Sequence, residues 1–431
     1  MYVKKLLIEN FRGIRKMELE LHPKMNVFIG INGAGKSSVL DALGYLLTLP
    51  VLFFSNQSPK EYEFISGHHG GNDFPDNEIN NDTEQSNLEM VFAKEGFQDL
   101  PCQLYSSRIK QRLQGNVPNR SSHFYNNRDV WIPYFLDGGE NKVNFSIITY
   151  YRVRREVDKV PIDAWTDRNF RPQDAFIDAL TPKTDFKEFF EWFRNREDLE
   201  NEERANDNNG PDRMLEAVRK VISTFCSALQ DVRVRRRDPL RMVVTKNDRE
   251  LRIEQLSDGE KCLLAMVGDL ARRLAIANPS QDNPLHGEGV VLIDEVDLHL
   301  HPQWQRMILP KLMDTFPNCQ FIVTTHSPQI LGEIKSEHVF ILSDEENGII
   351  AKRPSYEIHG QTSGILLEDI MQTPERNGDI QNKIKNAFAA LELGNIADAK
   401  YLIGELREQA TAIPDLQQLD MRLSRREVVG K

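Results

Sequence analysis

The chain has 431 residues, enough for one large domain with insertions or for two or three ordinary domains. Hydrophobic residues make up 40% and charged residues 28%, the balance of a soluble globular protein, and no run of 18 or more apolar residues offers a membrane span. The net charge of −11, from 65 acidic and 54 basic residues, argues against indiscriminate coating of nucleic acid, because neutralising phosphates takes an excess of Lys and Arg. The opening MYVKKLLIENFRGI has no apolar segment followed by a small-residue cleavage site, so secretion is not expected. Cys102, Cys226, Cys262 and Cys319 stand far apart without metal-type spacing and read as reduced thiols of a cytoplasmic protein.

In chain order, residues Tyr2–Glu9 and Met17–Leu21 alternate apolar and polar side chains, the signature of half-buried strands. Met25–Ile29 is an apolar run that stops at glycine, and Lys36–Leu47 then takes helical spacing. Residues 55–85 are rich in Gly, Asn and Asp and read as a loop insertion. Residues 86–145 give only weak strand signals before the strand-like Phe145–Tyr151 and the basic Arg152–Glu156. Helical patterning runs from Asp174 to about Leu229. Within it, Phe186, Phe189, Phe190, Trp192 and Phe193 form an aromatic face expected to pack in a core. Short strands at Asp231–Val234, Arg241–Thr245 and Leu251–Ile253 precede a helix over Gly259–Ala277. The apolar runs Val290–Ile293 and Gln320–Thr324, separated by a helix around Gln303–Phe316, predict a parallel sheet covered on both faces. Ile380–Gln409 is a charged helical tail.

Chemistry concentrates in a few strings. Gly30-Ile-Asn32-Gly33-Ala34-Gly35-Lys36-Ser37, followed by Ser38, matches the phosphate loop and lies between a strand and a helix, as that loop requires. Its glycines let backbone N–H groups turn toward phosphates, Lys36 is placed to reach the β- and γ-phosphates, and Ser37 to hold Mg²⁺. Val290–Ile293 ends in Asp294 and Glu295, which places two carboxylates at the carboxyl edge of a central strand. Asp294 suits the Mg²⁺ shell and Glu295 suits the base that polarises an attacking water. Gln255-Leu-Ser257-Asp258-Gly259-Glu260-Lys261 opens a helix that Ser257 or Asp258 can cap. His299 and His301, in LHLHP, have no third ligand at metal-type spacing.

The Ser257–Glu260 string resembles the signature of ABC-type ATPases. The resemblance implies that Ser257, Asp258, Gly259 and Glu260 act in trans, on the γ-phosphate held by a second subunit. It also implies that Asp297 belongs to the dimer-contact loop and that His326, in Thr324-Thr-His-Ser-Pro328, senses the γ-phosphate. IENFRGI (Ile8–Ile14) resembles the SMC, RecF and OLD heads, in which the arginine approaches the nucleotide, here Arg12. The family's glutamine is not matched, and TYYRVRRE (Thr149–Glu156) occupies its place. Across nearly the whole chain, DFKEFFEWFRNREDLENE, VRVRRRDPLRM and the Gln255–Arg306 region resemble the PtuA-type ATPases of anti-phage defence systems.

The expected fold is therefore α/β: an ABC-type ATPase head with a central mixed or parallel sheet flanked by helices, helical insertions and a helical C-terminal tail. Residues 1–54 and 86–160 form one ATPase lobe, 55–85 a flexible loop, 161–230 a helical insertion, and 231–345 the second lobe. Residues 346–431 form a tail for oligomer or partner docking. The resemblance implies ATP and Mg²⁺ as ligands, a homodimer or higher oligomer, and a separate HNH nuclease subunit, with nucleic acid reached through that complex and no membrane. A RecF-like repair ATPase binding DNA through the basic stretches Arg233–Arg241 and Arg152–Arg155 is the alternative.

Overall fold

The computed structural model describes residues 1–55, 78–107, 128–137, 143–153, 170–181, 186–206, 210–236, 240–374, 377–409 and 413–429. It divides into two compact units, Met1–Thr362 and Ser363–Lys431. The expected loop over 55–85 and the basic Arg154 and Arg155 lie mostly outside the described residues.

The first unit opens with strands β1 (Tyr2–Phe11), β2 (Ile14–Glu20) and β3 (Met25–Ile29), then helix α1 (Lys36–Ser55). Strands β4 (Gln85–Ala93) and β5 (Leu100–Ser107) follow, with helix α2 (Arg128–Phe135) and the short strands β6 (Leu136–Asp137), β7 (Asn144–Phe145) and β8 (Ile147–Tyr151) after them. Next come helices α3 (Phe186–Ala205) and α4 (Arg213–Phe225), strands β9 (Gln230–Arg235), β10 (Arg241–Lys246) and β11 (Arg249–Arg252), and helix α5 (Asp258–Ala277). The unit closes with β12 (Gly289–Ile293), α6 (Pro302–Thr315), β13 (Cys319–Thr324), α7 (Pro328–Leu331), β14 (Val339–Glu345) and β15 (Gly348–Lys352).

The central sheet has the order β15-β14-β3-β13-β12-β8. All pairs from β14 to β8 are parallel and only the edge strand β15 is antiparallel. Strands β3, β8, β12 and β13 are buried at every position, which is why they read as unbroken apolar runs instead of alternating ones. Residues 348–352, expected in the tail, are instead the edge strand of this sheet. A second, antiparallel sheet has the order β2-β1-β4-β5. The weak signal over 86–145 becomes the long strands β4 and β5; polar residues and Pro101 on β5 blur the pattern, and an edge strand tolerates that proline.

Helix α1 is long and apolar enough to cross a membrane by composition, and 72% of that apolar window is buried within the protein. The aromatic face of α3 is core: Phe189, Phe190, Trp192 and Phe193 are all buried. Gly268 on α5 gives Phe189 room, since a Cβ there would stand 2.9 Å from its ring. All four cysteines are free.

The second unit holds α8 (Ser363–Asp369), α9 (Gly378–Glu392), α10 (Ile396–Gln409) and α11 (Pro414–Val429). The helical stretch read over Ile380–Gln409 is two helices. Gly394, at φ +78°, adopts the left-handed turn that ends α9 and lets α10 fold back on it. Ile384, Ala387, Leu391, Ile403, Leu406 and Leu419 build the core of this bundle.

One ion cluster braces the first unit from within. Asp269 on α5 accepts from Arg272 Nη2 (2.7 Å), Arg273 Nε (2.7 Å) and Tyr151 Oη (2.9 Å). Burial alone would raise its carboxyl, but Arg273 and Arg272 outweigh that and hold it at about 2. Its contribution to stability is therefore complete above the ordinary value of 3.8 and is lost as the pH falls through about 2. Asp269→Ala leaves two buried guanidinium groups uncompensated and should lower unfolding stability by about 3–5 kcal/mol at neutral pH. Chemical denaturation measures this, and a loss below about 1 kcal/mol would contradict the assignment.

Candidate nucleotide site

Three neighbouring parallel strands deliver the site. Strands β3, β13 and β12 run in register, Val27 beside Val323 and Val323 beside Ile293, so their carboxyl ends open on one edge. From that edge β3 emits the loop Gly30–Gly35, β12 emits Asp294–Asp297, and β13 emits Thr325–Pro328. Open α/β sheets bind ligands at this edge.

The loop closes as its sequence requires. Gly33 and Gly35 stand at φ +84° and +85°, a region side chains other than glycine rarely adopt. Asn32 and Gly33 are exposed, Ala34 is buried, and Ser38 is half-buried on the first turn of α1. Lys36 Nζ folds back to donate to the carbonyls of Gly30 (2.8 Å) and Ile31 (3.0 Å). Burial lowers the Lys36 ammonium below its ordinary value against the opposing pull of Asp294, Glu295 and Asp297. Ser37 Oγ donates to Asp294 Oδ2 at 2.9 Å, joining two residues 257 positions apart.

Two threonines organise the carboxylates, and sequence reasoning overlooked both. Thr324 Oγ1 donates to Asp294 Oδ1 (2.5 Å) and accepts from the Glu295 N–H (2.7 Å). Glu295 itself is held at φ +48°, a conformation that costs about 1–3 kcal/mol for a non-glycine residue and clusters at functional sites. Thr325 Oγ1 donates to Asp297 Oδ1 (2.6 Å), which also accepts the His326 N–H (3.3 Å). Asp297, read from sequence as part of the dimer-contact loop, here fixes the backbone that carries His326. Burial and then Lys36 lower the His326 imidazole, so it is neutral at pH 7 and able to share a hydrogen bond with a phosphate oxygen. Thr324 and Thr325 are legible only as the small polar residues that end an apolar strand.

Arg12 is held in ion pairs. Its guanidinium pairs with Asp41 (Nη1 to Oδ2, 2.8 Å) and with Glu78 through Nε. Asp41 sits one helical turn beyond Ser37 and also accepts from Arg152 (2.5 Å) and Tyr150 Oη (2.9 Å). Arg152 follows β8, whose Tyr151 carbonyl accepts the Asp294 N–H, so it stands next to the β12 carboxylates where the family's glutamine is absent. Asp41, Glu78 and Arg152 form a network that sequence reasoning did not find. Its one signal was Asp41, an acid buried on an otherwise apolar helix.

The signature opens helix α5. Ser257 caps α5 by accepting the Glu260 N–H, and its Oγ donates to Glu260 Oε2 (2.8 Å), a capping box. Glu260 pairs with Lys246 (2.6 Å) and the exposed Asp258 with Lys261 (2.8 Å). Among the described residues, the side-chain hydrogen bonds and ion pairs of Ser257, Asp258 and Glu260 stay within residues 246–261. Gly259 packs against the β12 side of the site, since a Cβ there would meet the His299 carbonyl at 2.4 Å. His301 caps α6, its Nδ1 accepting the Gln303 N–H at 3.3 Å, and the pair His299 and His301 finds no third ligand among the described residues. Arg233, Arg235 and Arg236, the footing of the DNA-binding alternative, are paired with Glu250, Glu197 and Asp198.

Residues 25–332 match the family model described as "AAA domain, putative AbiEii toxin, Type IV TA system". The chain is 30% identical to the Retron Vc95 probable ATPase of Vibrio cholerae serotype O1 biovar El Tor, over 81% of this chain and 74% of that protein. It is 30% identical to the Retron Ec83 probable ATPase of Escherichia coli, over 86% and 76% respectively. With the Septu protein PtuA of Bacillus thuringiensis it shares 23% identity across 86% of this chain and 85% of that one.

The chain belongs to the PtuA-type ATPases of defence systems.

Among solved structures it is similar to the SMC head bound to the C-winged helix domain of ScpA, at 16% identity and a TM-score of 0.46, over 82% of this chain and 98% of that one. In this PtuA-type ATPase the Thr324 hydroxyl ties the end of β13 to the Asp294–Glu295 end of β12. Thr324→Val removes a buried donor to Asp294 and the acceptor for the Glu295 N–H, and should cost about 1–3 kcal/mol of stability. A thermal or chemical melt unchanged within error would show that Thr324 does not brace this edge.

Proposed function

We propose that the chain is the ATP-binding and ATP-hydrolysing subunit of an anti-phage defence complex, that two copies close around ATP, and that this closure controls a separate HNH nuclease subunit. The observation that carries the nucleotide reading is the 2.9 Å hydrogen bond between Ser37 and Asp294. A phosphate loop and an acidic strand end matter to each other only if their oxygens reach one ion, and here they touch.

The donor set fits Mg²⁺: a hydroxyl and a carboxylate oxygen side by side, at the mouth of a loop whose backbone faces phosphates. When bound, that ion would be held by Ser37 and Asp294 and would supply positive charge against the phosphates. The chain's own groups do the rest. Lys36 exchanges two carbonyl partners for phosphate oxygens, relieving the desolvation of its ammonium. Glu295, oriented by the Thr324 hydroxyl, accepts a hydrogen bond from the attacking water. His326, neutral and fixed through Asp297, contacts the γ-phosphate. Arg12 and Arg152 sit on either side of Asp41, ready to trade part of that ion pairing for the nucleotide.

Closure in trans is supported by the placement of Ser257. It is exposed, its cap is internally satisfied, and the N-terminus of α5 keeps the partial positive charge that favours an anion. ATP would then shift the monomer–dimer balance, and loss of the γ-phosphate would reverse it. The helical unit Ser363–Lys431, with a core of its own, is the element proposed to dock the nuclease.

Glu295→Gln should lower steady-state phosphate release about a hundredfold or more while leaving ATP affinity within a few-fold of the parent. Phosphate release measured beside equilibrium ATP binding separates the two. Equal release in parent and variant would leave a nucleotide-holding protein without turnover.

A further inference from the structure

At the amino end of the central sheet, opposite the phosphate loop, His22, Glu337 and His338 converge. His22 lies just before β3, and Glu337 and His338 just before β14, its parallel neighbour. Each residue offers one ligand atom, and these atoms lie within 4.8 Å of one another. The two imidazole rings meet edge to face with centroids 4.4 Å apart. Glu337 Oε1 stands 3.9 Å from His338 Nε2.

The tautomer of His338 is set from behind. Its Nδ1 lies 3.2 Å from the Met25 carbonyl, which can only accept, so the proton sits on Nδ1 and the Nε2 lone pair is left for a ligand. Metal-binding imidazoles are oriented in this way by a carbonyl behind the ring. His22 Nδ1 accepts the Lys24 N–H at 3.1 Å. Ligation through its Nε2 moves the His22 proton to Nδ1 and hands that exposed N–H to water. Lys24, Lys335 and Arg353 lie nearby, so one carboxylate against three cations gives no purely electrostatic pull on a dication. Selection therefore falls to the imidazoles, which favour zinc, cobalt or nickel over oxygen-seeking Mg²⁺ or Ca²⁺.

We propose that His22, Glu337 and His338 form a binding site for a divalent transition metal of the zinc class, three protein ligands with water in the remaining position. Bound there, the metal clamps the start of β3 to the start of β14. β3 is the strand that ends in the phosphate loop, so the clamp steadies the base of the nucleotide site without touching nucleotide. The inference rests on this cluster alone and stands whether or not ATP is the ligand at the other end.

The test is a cobalt titration of the full-length chain, stripped with chelator and kept free of Mg²⁺ and nucleotide. The expected result is about one Co²⁺ per chain with the visible bands of four- or five-coordinate nitrogen ligation, displaced by Zn²⁺. His338→Ala should weaken binding about tenfold or more. Glu337→Gln, at an exposed side chain where folding is not at issue, should weaken it several-fold. No visible bands in the parent chain, or bands and affinity unchanged in both variants, would overturn the site.

Discussion

The hydrogen bond from Ser37 to Asp294 is the constraint on which the rest of the nucleotide edge depends. It requires β3 and β12 to end level with each other, one strand apart, and β13 fills the gap between them in parallel register. Because β13 is the intervening strand, its last residue, Thr324, reaches both the Asp294 carboxylate and the Glu295 backbone at the end of β12. The next two residues bring Asp297 and His326 into the same corner. A parallel sheet buried on both faces thus does more than bury apolar surface: it fixes the relative height of every strand end, and the polar residues follow.

The charge pattern around this edge is arranged in two tiers. Lys36 faces the carboxylates Asp294, Glu295 and Asp297, an excess of negative charge that a divalent cation would offset. Behind it, Arg12 and Arg152 share Asp41, with Glu78 completing the pairing of Arg12. In the proposed reading this second tier keeps two guanidinium groups within reach of the nucleotide while satisfying them in its absence. It also gives the basic stretch after β8 a role in place of the unmatched glutamine. The arginines further along the chain, Arg233, Arg235 and Arg236, pair with Glu250, Glu197 and Asp198.

Much of this was legible because period and punctuation are strong signals in a buried parallel sheet. Met25–Ile29, Val290–Ile293 and Gln320–Thr324 are apolar runs whose ends coincide with the functional strings, so sequence placed the loop, the two carboxylates and the histidine on strand ends. What sequence lacked was everything set by side-chain reach across the fold. Nothing in the one-dimensional pattern links Thr324 to Asp294, or Asp41 to two arginines more than a hundred residues apart. Edge strands were also faint: β5 and β15 are only partly buried, so their apolar periodicity is diluted by solvent-facing residues. Gly394 was visible as a residue, but whether it ends a helix or merely interrupts one depends on the packing of α9 against α10.

Completion of the Gly30–Ser37 site by Ser257 of another copy is tested most directly by complementation between two inactive chains. Lys36→Ala removes the loop lysine and keeps an intact signature, whereas Ser257→Arg blocks the signature and keeps an intact loop. Mixed in equal amounts, they form heterodimers with one whole site, and ATP turnover should rise well above that of either variant alone, toward about a quarter of the parent rate if pairing is random and sites act independently. If the mixture releases no more phosphate than the sum of its parts, while each variant folds and the parent is active, the site is not shared between copies and the trans reading fails.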